Sequence, residues 1–170
     1  MTSNVLVVDW HDCLEDYTSA FLFFLQKKGV IIHTDDIDTS FSFMGIPDNY
    51  FVEFENSNSY RNLETIKGAR KAIDILGEHF RIYCVSSSPG VIPMRYQLKF
   101  RFPKIVDFFY AKPKKNLITS LNALWIIDDQ IPNLEVDCRA FAFSRPWNKT
   151  WTGNRGNWEE IIQYFETYVF

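Results

Sequence analysis

The chain has 170 residues, 46% of them hydrophobic, and a formal net charge of −3. That length suits one compact domain, residues 1–170, with a full core, and the slightly acidic balance excludes the broad basic field that holds duplex nucleic acid. Cys13, Cys84 and Cys138 are odd in number and form no Cys-x-x-Cys pair, which argues against a disulfide framework or zinc site and fits a reducing, cytoplasmic setting. The sequence shows neither a basic-then-apolar leader nor an apolar run long enough for a bilayer, so no membrane contact is expected.

In chain order, short apolar runs at 5–8, 80–85, 106–110, 124–127 and 140–143 read as strands buried on both faces. Helical patterns fall between and after them, at 13–28, 66–77, 92–100, 115–121 and 158–168. Asn157 with Glu160 three residues on marks the start of the last helix. Alternating strands and helices predict an α/β fold with a central parallel sheet of five strands and a site at their carboxyl ends. Residues 29–65 break the rhythm and are expected to form a small inserted cap.

The predicted strand ends carry a concentration of chemistry. Asp9, His11 and Asp12 follow the first strand, and Ser86, Ser87 and Ser88 the second. Lys112, Lys114 and Lys115 follow the third, and Asp128 and Asp129 the fourth. Carboxylates from two strands can share a hard cation such as Mg2+, hydroxyls can hold phosphate oxygens, and a lysine can offset the negative charge. This is a phosphoryl-transfer constellation, with Asp9 placed as nucleophile. Only one of the three lysines is expected to face the site.

The order Asp9, Ser86, Lys115, Asp128-Asp129 resembles the four motifs of the haloacid-dehalogenase (HAD) superfamily of phosphatases. Within it, Ile-Ile-Asp-Asp-Gln-Ile-Pro-Asn at 126–133, Arg-Pro-Trp-Asn at 145–148 and Val-Ser-Ser-Ser-Pro at 85–89 are similar to segments of the 5'(3')-deoxyribonucleotidase group. The resemblance implies a HAD-like Rossmannoid three-layer α/β/α sandwich. It also implies a Mg2+-dependent hydrolase of nucleoside monophosphates, deoxyribonucleoside monophosphates among them, working through an aspartyl-phosphate. It assigns metal binding to Asp9, the backbone carbonyl of His11 and Asp128, with Asp129 supporting the metal shell. It assigns phosphate binding to Ser86, with Ser87 beside it, and charge balance to Lys115.

Residue 11 departs from the superfamily's Asp-x-Asp, whose second Asp protonates the leaving group and then activates water. Three readings stand: imidazole takes over the acid/base role; the acid is lost, leaving a slow enzyme or a nucleotide- or protein-binding pseudoenzyme; or the substrate needs no such acid. Asp12 reads as a helix N-cap.

Bland readings stand beside these. Residues 86–88 are also an acceptable polar turn, Asp128 and Asp129 acceptable helix caps, and the polar run at 33–38 a helix start more readily than a metal loop. His79 and the cysteines read as structural. Phe41, Phe43, Tyr50 and Phe51 either stack a nucleobase or form the cap's own core. Trp10 is expected to line the pocket and the 145–148 loop to close one side. The expected partner is a small phosphate ester, and a homodimer is compatible with the sequence.

Overall fold

The computed structural model describes residues 4–32, 37 and 45–170. Strands β1 (Val5–Val8), β2 (Arg81–Ser86), β3 (Ile105–Tyr110), β4 (Trp125–Asp128), β5 (Arg139–Phe143) and β6 (Asn154–Gly156) form one sheet in the order β3-β2-β1-β4-β5-β6. Every pairing is parallel. All four residues of β1 are buried, as an apolar strand covered on both faces must be. Side-chain alternation then divides the core. Leu6 and Val8 join the larger cluster with Phe21, Ile73, Leu98 and Phe165, whereas Val5 and Val7 join a smaller one with Ile118, Ile126 and Leu134. The result is the expected Rossmannoid sandwich, a parallel sheet flanked by helices.

The helices are α1 (Tyr17–Lys27), α2 (Asp48–Glu55), α3 (Asn58–Arg61), α4 (Ala69–Leu76), α5 (Val91–Arg101), α6 (Lys115–Ser120), α7 (Ile131–Leu134) and α8 (Trp158–Tyr168), with a 3-10 turn at Pro146–Asn148. The predicted capping box of α8 is present, Asn157 and Glu160 exchanging bonds. Helix α1 starts four residues later than expected. Asp12 has φ 58, in the left-handed region, and the chain turns back on itself as Leu14 N and Glu15 N donate to Trp10 O. Asp16 is therefore the N-cap, accepting from Ser19 N, while Asp12 reaches across the turn to accept from Thr18 N and Thr18 Oγ1. Strand β6 was not legible. Its Asn-Arg-Gly carries no apolar run, and it forms by completing the ladder along β5.

Between α1 and α4, helices α2 and α3 bring Phe54 and Tyr60 against Tyr17 of α1, at ring separations of 5.3 and 6.1 Å, and Phe51 against Phe21 at 4.7 Å. Phe51 thus belongs to the core rather than to a base-stacking wall, and Tyr50 packs against the same cluster. Phe41 and Phe43, and the polar residues 33–36 and 38, lie outside the described residues. Among the described residues no helix is long and apolar enough to cross a membrane.

Candidate active site

The chain lays down β1, β2 and β3 toward one edge and β4, β5 and β6 toward the other, so the strand order reverses between β1 and β4. At such a switch point the loops leave in opposite directions and open a crevice beyond the carboxyl ends. Asp9 stands at that end of β1, its N–H donating to Ile127 O of β4 at 2.9 Å, and Asp128 closes β4 itself. A cavity of about 190 Å³ opens here, lined by Asp9, His11, Ser86, Lys114, Asp129 and Trp147, among others.

Lys114 organises the floor. Its ammonium lies 2.7 Å from Asp9 Oδ1 and 2.7 Å from Asp128 Oδ2, and the side chain is 1% exposed. Burial opposes the lysine's charge, but Asp128 and Asp9 outweigh it and hold its pKa above the ordinary lysine value. Lys115, the residue expected here, begins α6 and is exposed. The helix starts at Lys115 as expected, but it is the residue at its N-cap, Lys114, that turns inward, while Lys115 in the first turn faces solvent.

The two aspartates after β4 also differ from expectation. Asp128 is fully buried with both oxygens engaged: Oδ2 by Lys114, and Oδ1 by Gln130 N at 2.9 Å and Asn133 Nδ2 at 3.1 Å. Asp129 faces the cavity, held at Oδ2 by Trp147 Nε1 at 2.8 Å and Gln130 Nε2 at 2.9 Å. Asp9 and Asp129 offer oxygens within 4.8 Å of each other and of Cys13 Sγ. The pair that shares a cation-sized gap is therefore Asp9 with Asp129, and Asp128 anchors the lysine.

The donor chemistry of this gap fits Mg2+. Three buried carboxylates face one ammonium, so the cluster lacks positive charge. Burial pushes Asp9 well above the usual carboxylate range despite Lys114, and burial with the nearby Asp128 pushes Asp129 up to about 7. Carboxylate oxygens are the ligands a hard cation takes. Cys13 does not fit: burial, reinforced by Asp129 and Asp9, raises its thiol well above the ordinary value and keeps it protonated.

His11 sits in an aromatic box, with ring centroids 4.1 Å from Trp10, 4.4 Å from Tyr17 and 5.6 Å from Tyr60. Its Nε2 is buried without a hydrogen-bond partner. Burial, aided by the charge of Lys114, lowers its pKa to about 3, so the imidazole is neutral at neutral pH. Of the three readings of residue 11, a neutral imidazole fits the loss of the acid better than one that donates a proton to the leaving group. Trp10 also departs from expectation. It is fully buried in the core, outside the cavity lining, and donates its indole N–H to Glu15 Oε2 at 2.8 Å. Trp147 of the 145–148 loop is the tryptophan that lines the cavity. Arg145 of the same loop is held by Asp12, donating through Nε to its carbonyl at 2.9 Å, with Nη2 3.5 Å from its carboxylate.

The serine turn after β2 faces these groups. Ser86, Ser87 and Ser88 all line the cavity, and Ser88 N donates to Ser86 Oγ at 3.1 Å. That bond leaves the Ser86 hydroxyl proton available to an anion. Tyr60 carried no signal in the sequence, and Gln130 and Asn133 stood in the 126–133 segment without a role, because their roles depend on the partners the fold brings to them.

No protein-family model matches the chain, and a sequence search of curated proteins finds no significant match. Solved structures do match. A haloacid dehalogenase-like family hydrolase from Streptococcus pneumoniae superposes with TM-score 0.68 at 12% identity, covering 96% of this chain and 99% of that one. The chain has the HAD-like fold. The same HAD-like fold is shared with YfnB of Bacillus subtilis in its magnesium-bound form, at TM-score 0.61 and 13% identity over 98% of this chain and 100% of that one. A 2-haloacid dehalogenase from Pseudomonas syringae matches at TM-score 0.57 and 12% identity over 98% and 100% of the two chains. The fold does not by itself choose a chemistry, and the site must decide.

Proposed function

We propose that the chain is a Mg2+-dependent phosphatase of the HAD type that hydrolyses nucleoside monophosphates, with residues 29–65 acting as a small cap. The observation that carries the reading is the Lys114 bridge between Asp9 and Asp128, in a cavity also lined by Ser86 and Asp129. Asp9 and Asp129, with the backbone carbonyl of His11, would hold Mg2+, which supplies charge that keeps the carboxylates ionised and offsets the phosphate.

Asp9 attacks phosphorus, the bond to the leaving oxygen breaks with its electron pair, and an aspartyl-phosphate forms. Ser86 donates to a phosphate oxygen while Lys114 steadies Asp9. Water then cleaves the acyl phosphate, regenerating Asp9 and releasing inorganic phosphate. The neutral His11 is suited to accept a proton from that water and unsuited to protonate the leaving group beforehand.

This last feature favours a second reading, a catalytically impaired relative that binds nucleotide without useful turnover. A phosphate-release screen over ribo- and deoxyribonucleoside monophosphates with Mg2+ separates the two. Release above background for any of them supports the phosphatase, and binding without release supports the impaired form.

A further inference from the structure

One contact ties α3 to the serine turn. The Tyr60 ring is 3% exposed and packs edge-on against Trp10 at 5.7 Å and His11 at 5.6 Å, so its position is set by the end of β1. Its hydroxyl emerges at the turn, 3.2 Å from Ser88 Oγ. The approach is so close that a Cβ at Gly90 would fall on the Tyr60 hydroxyl, so the glycine and the tyrosine are matched.

The hydrogen-bond count at Ser88 then has a chemical result. A serine hydroxyl has one proton and two acceptor sites. Ser88 Oγ already accepts from Gly90 N at 3.3 Å. A phenol is a better donor and a poorer acceptor than an aliphatic hydroxyl, so Tyr60 donates and Ser88 accepts. Both acceptor sites of Ser88 are then filled, and its own proton is left for the cavity that Ser88 lines.

We infer that Tyr60 is a positioning residue for the bound phosphate, acting through Ser88, which becomes a second hydroxyl donor beside Ser86. The inference rests on the phosphatase reading of the site and adds Ser88 and Tyr60 to it.

The test is the affinity for inorganic phosphate with Mg2+ present, measured by calorimetry, together with KM and kcat on the best ester substrate. Tyr60→Phe keeps the ring and removes the donor. Phosphate affinity is expected to fall about tenfold, the scale of one hydrogen bond to a charged group, with KM rising in step and kcat changing less than about threefold. Ser88→Ala should give the same loss, and the double variant should be no weaker than Ser88→Ala alone. Unchanged affinity in Tyr60→Phe overturns the inference, as do additive losses in the double variant. Ser88 is half-buried and Ser88→Ala removes only its hydroxyl, so Ser88→Ala binding like wild type overturns it even if Tyr60→Phe fails to fold. A wild-type protein that binds no phosphate with Mg2+ removes the phosphatase reading and this inference together, whereas normal wild-type binding with an indifferent Tyr60→Phe removes only the inference.

Discussion

The ammonium of Lys114 lies 2.7 Å from a carboxylate oxygen of Asp9, with almost no water reaching either group. Removing the ammonium while keeping the bulk, in Lys114→Met, leaves Asp9 and Asp128 buried and uncompensated. Breaking a buried pair in this way costs about 3–5 kcal/mol. Chemical denaturation should show a loss of that order, and turnover should disappear. Lys115→Ala, at an exposed position, should stay within about 0.5 kcal/mol of wild type and remain active. The reverse pattern would return the role to Lys115.

Asp9→Asn keeps the side chain's shape and removes the attacking oxygen. Turnover should fall by about three orders of magnitude or more while the melting curve stays cooperative. Chelation should silence the wild type and Mg2+ should restore it. An Asp9→Asn enzyme with normal turnover would sink the nucleophile assignment, and chelator-indifferent activity the metal.

A general acid is worth about 10²–10⁴-fold to an ester whose leaving group needs a proton and little to one that does not. With His11 neutral, wild type should strongly prefer an aryl phosphate with a stable leaving anion over an alkyl phosphate. His11→Asp should narrow that gap by raising the alkyl rate. Rates measured on a matched pair of esters decide the point: a gap that His11→Asp leaves untouched would show that residue 11 has no part in proton transfer.

Stability should depend on pH in a direction set by buried carboxylates. Burial raises Asp12 to about 6, against Arg145 and Thr18, and raises Asp129 to about 7. The folded chain holds these protons to higher pH than the unfolded chain, so their stabilisation is complete below about pH 4 and lost as pH rises through 6 and 7. His11 works in the opposite sense. The unfolded chain takes up its proton near pH 6.5 and the folded chain only near 3, so it removes stability as pH falls below 6.5. One histidine against two aspartates weakens the trend without reversing it. The chelated protein should therefore unfold at lower denaturant at pH 8 than at pH 5.5, and Mg2+ should stabilise it more at pH 8. A chelated protein that is firmer at pH 8 would contradict the assignment.

By itself, the sequence determined the first five strands of the sheet and the place of the site. Strands buried on both faces must be almost continuously apolar, so Val5–Val8 and Trp125–Asp128 stand out whatever packs on them. Ionisable groups just beyond such strands, at Asp9, Ser86 and Asp128, then mark the carboxyl rim. The tertiary structure decided which neighbour on that rim does what. Beyond a strand or at a helix start, one residue's step turns the side chain to a different surroundings. Asp9 thus faces the cavity and Trp10 the core, Asp129 the cavity and Asp128 the lysine, and Lys114 the floor and Lys115 the solvent. At 128–129 and at 114–115 the residue type is the same on both sides of the step, so only the path of the backbone separates them. The proton affinity of His11 belongs to the same class, because the rings of Trp10, Tyr17 and Tyr60 that exclude water from it come from three separate parts of the fold.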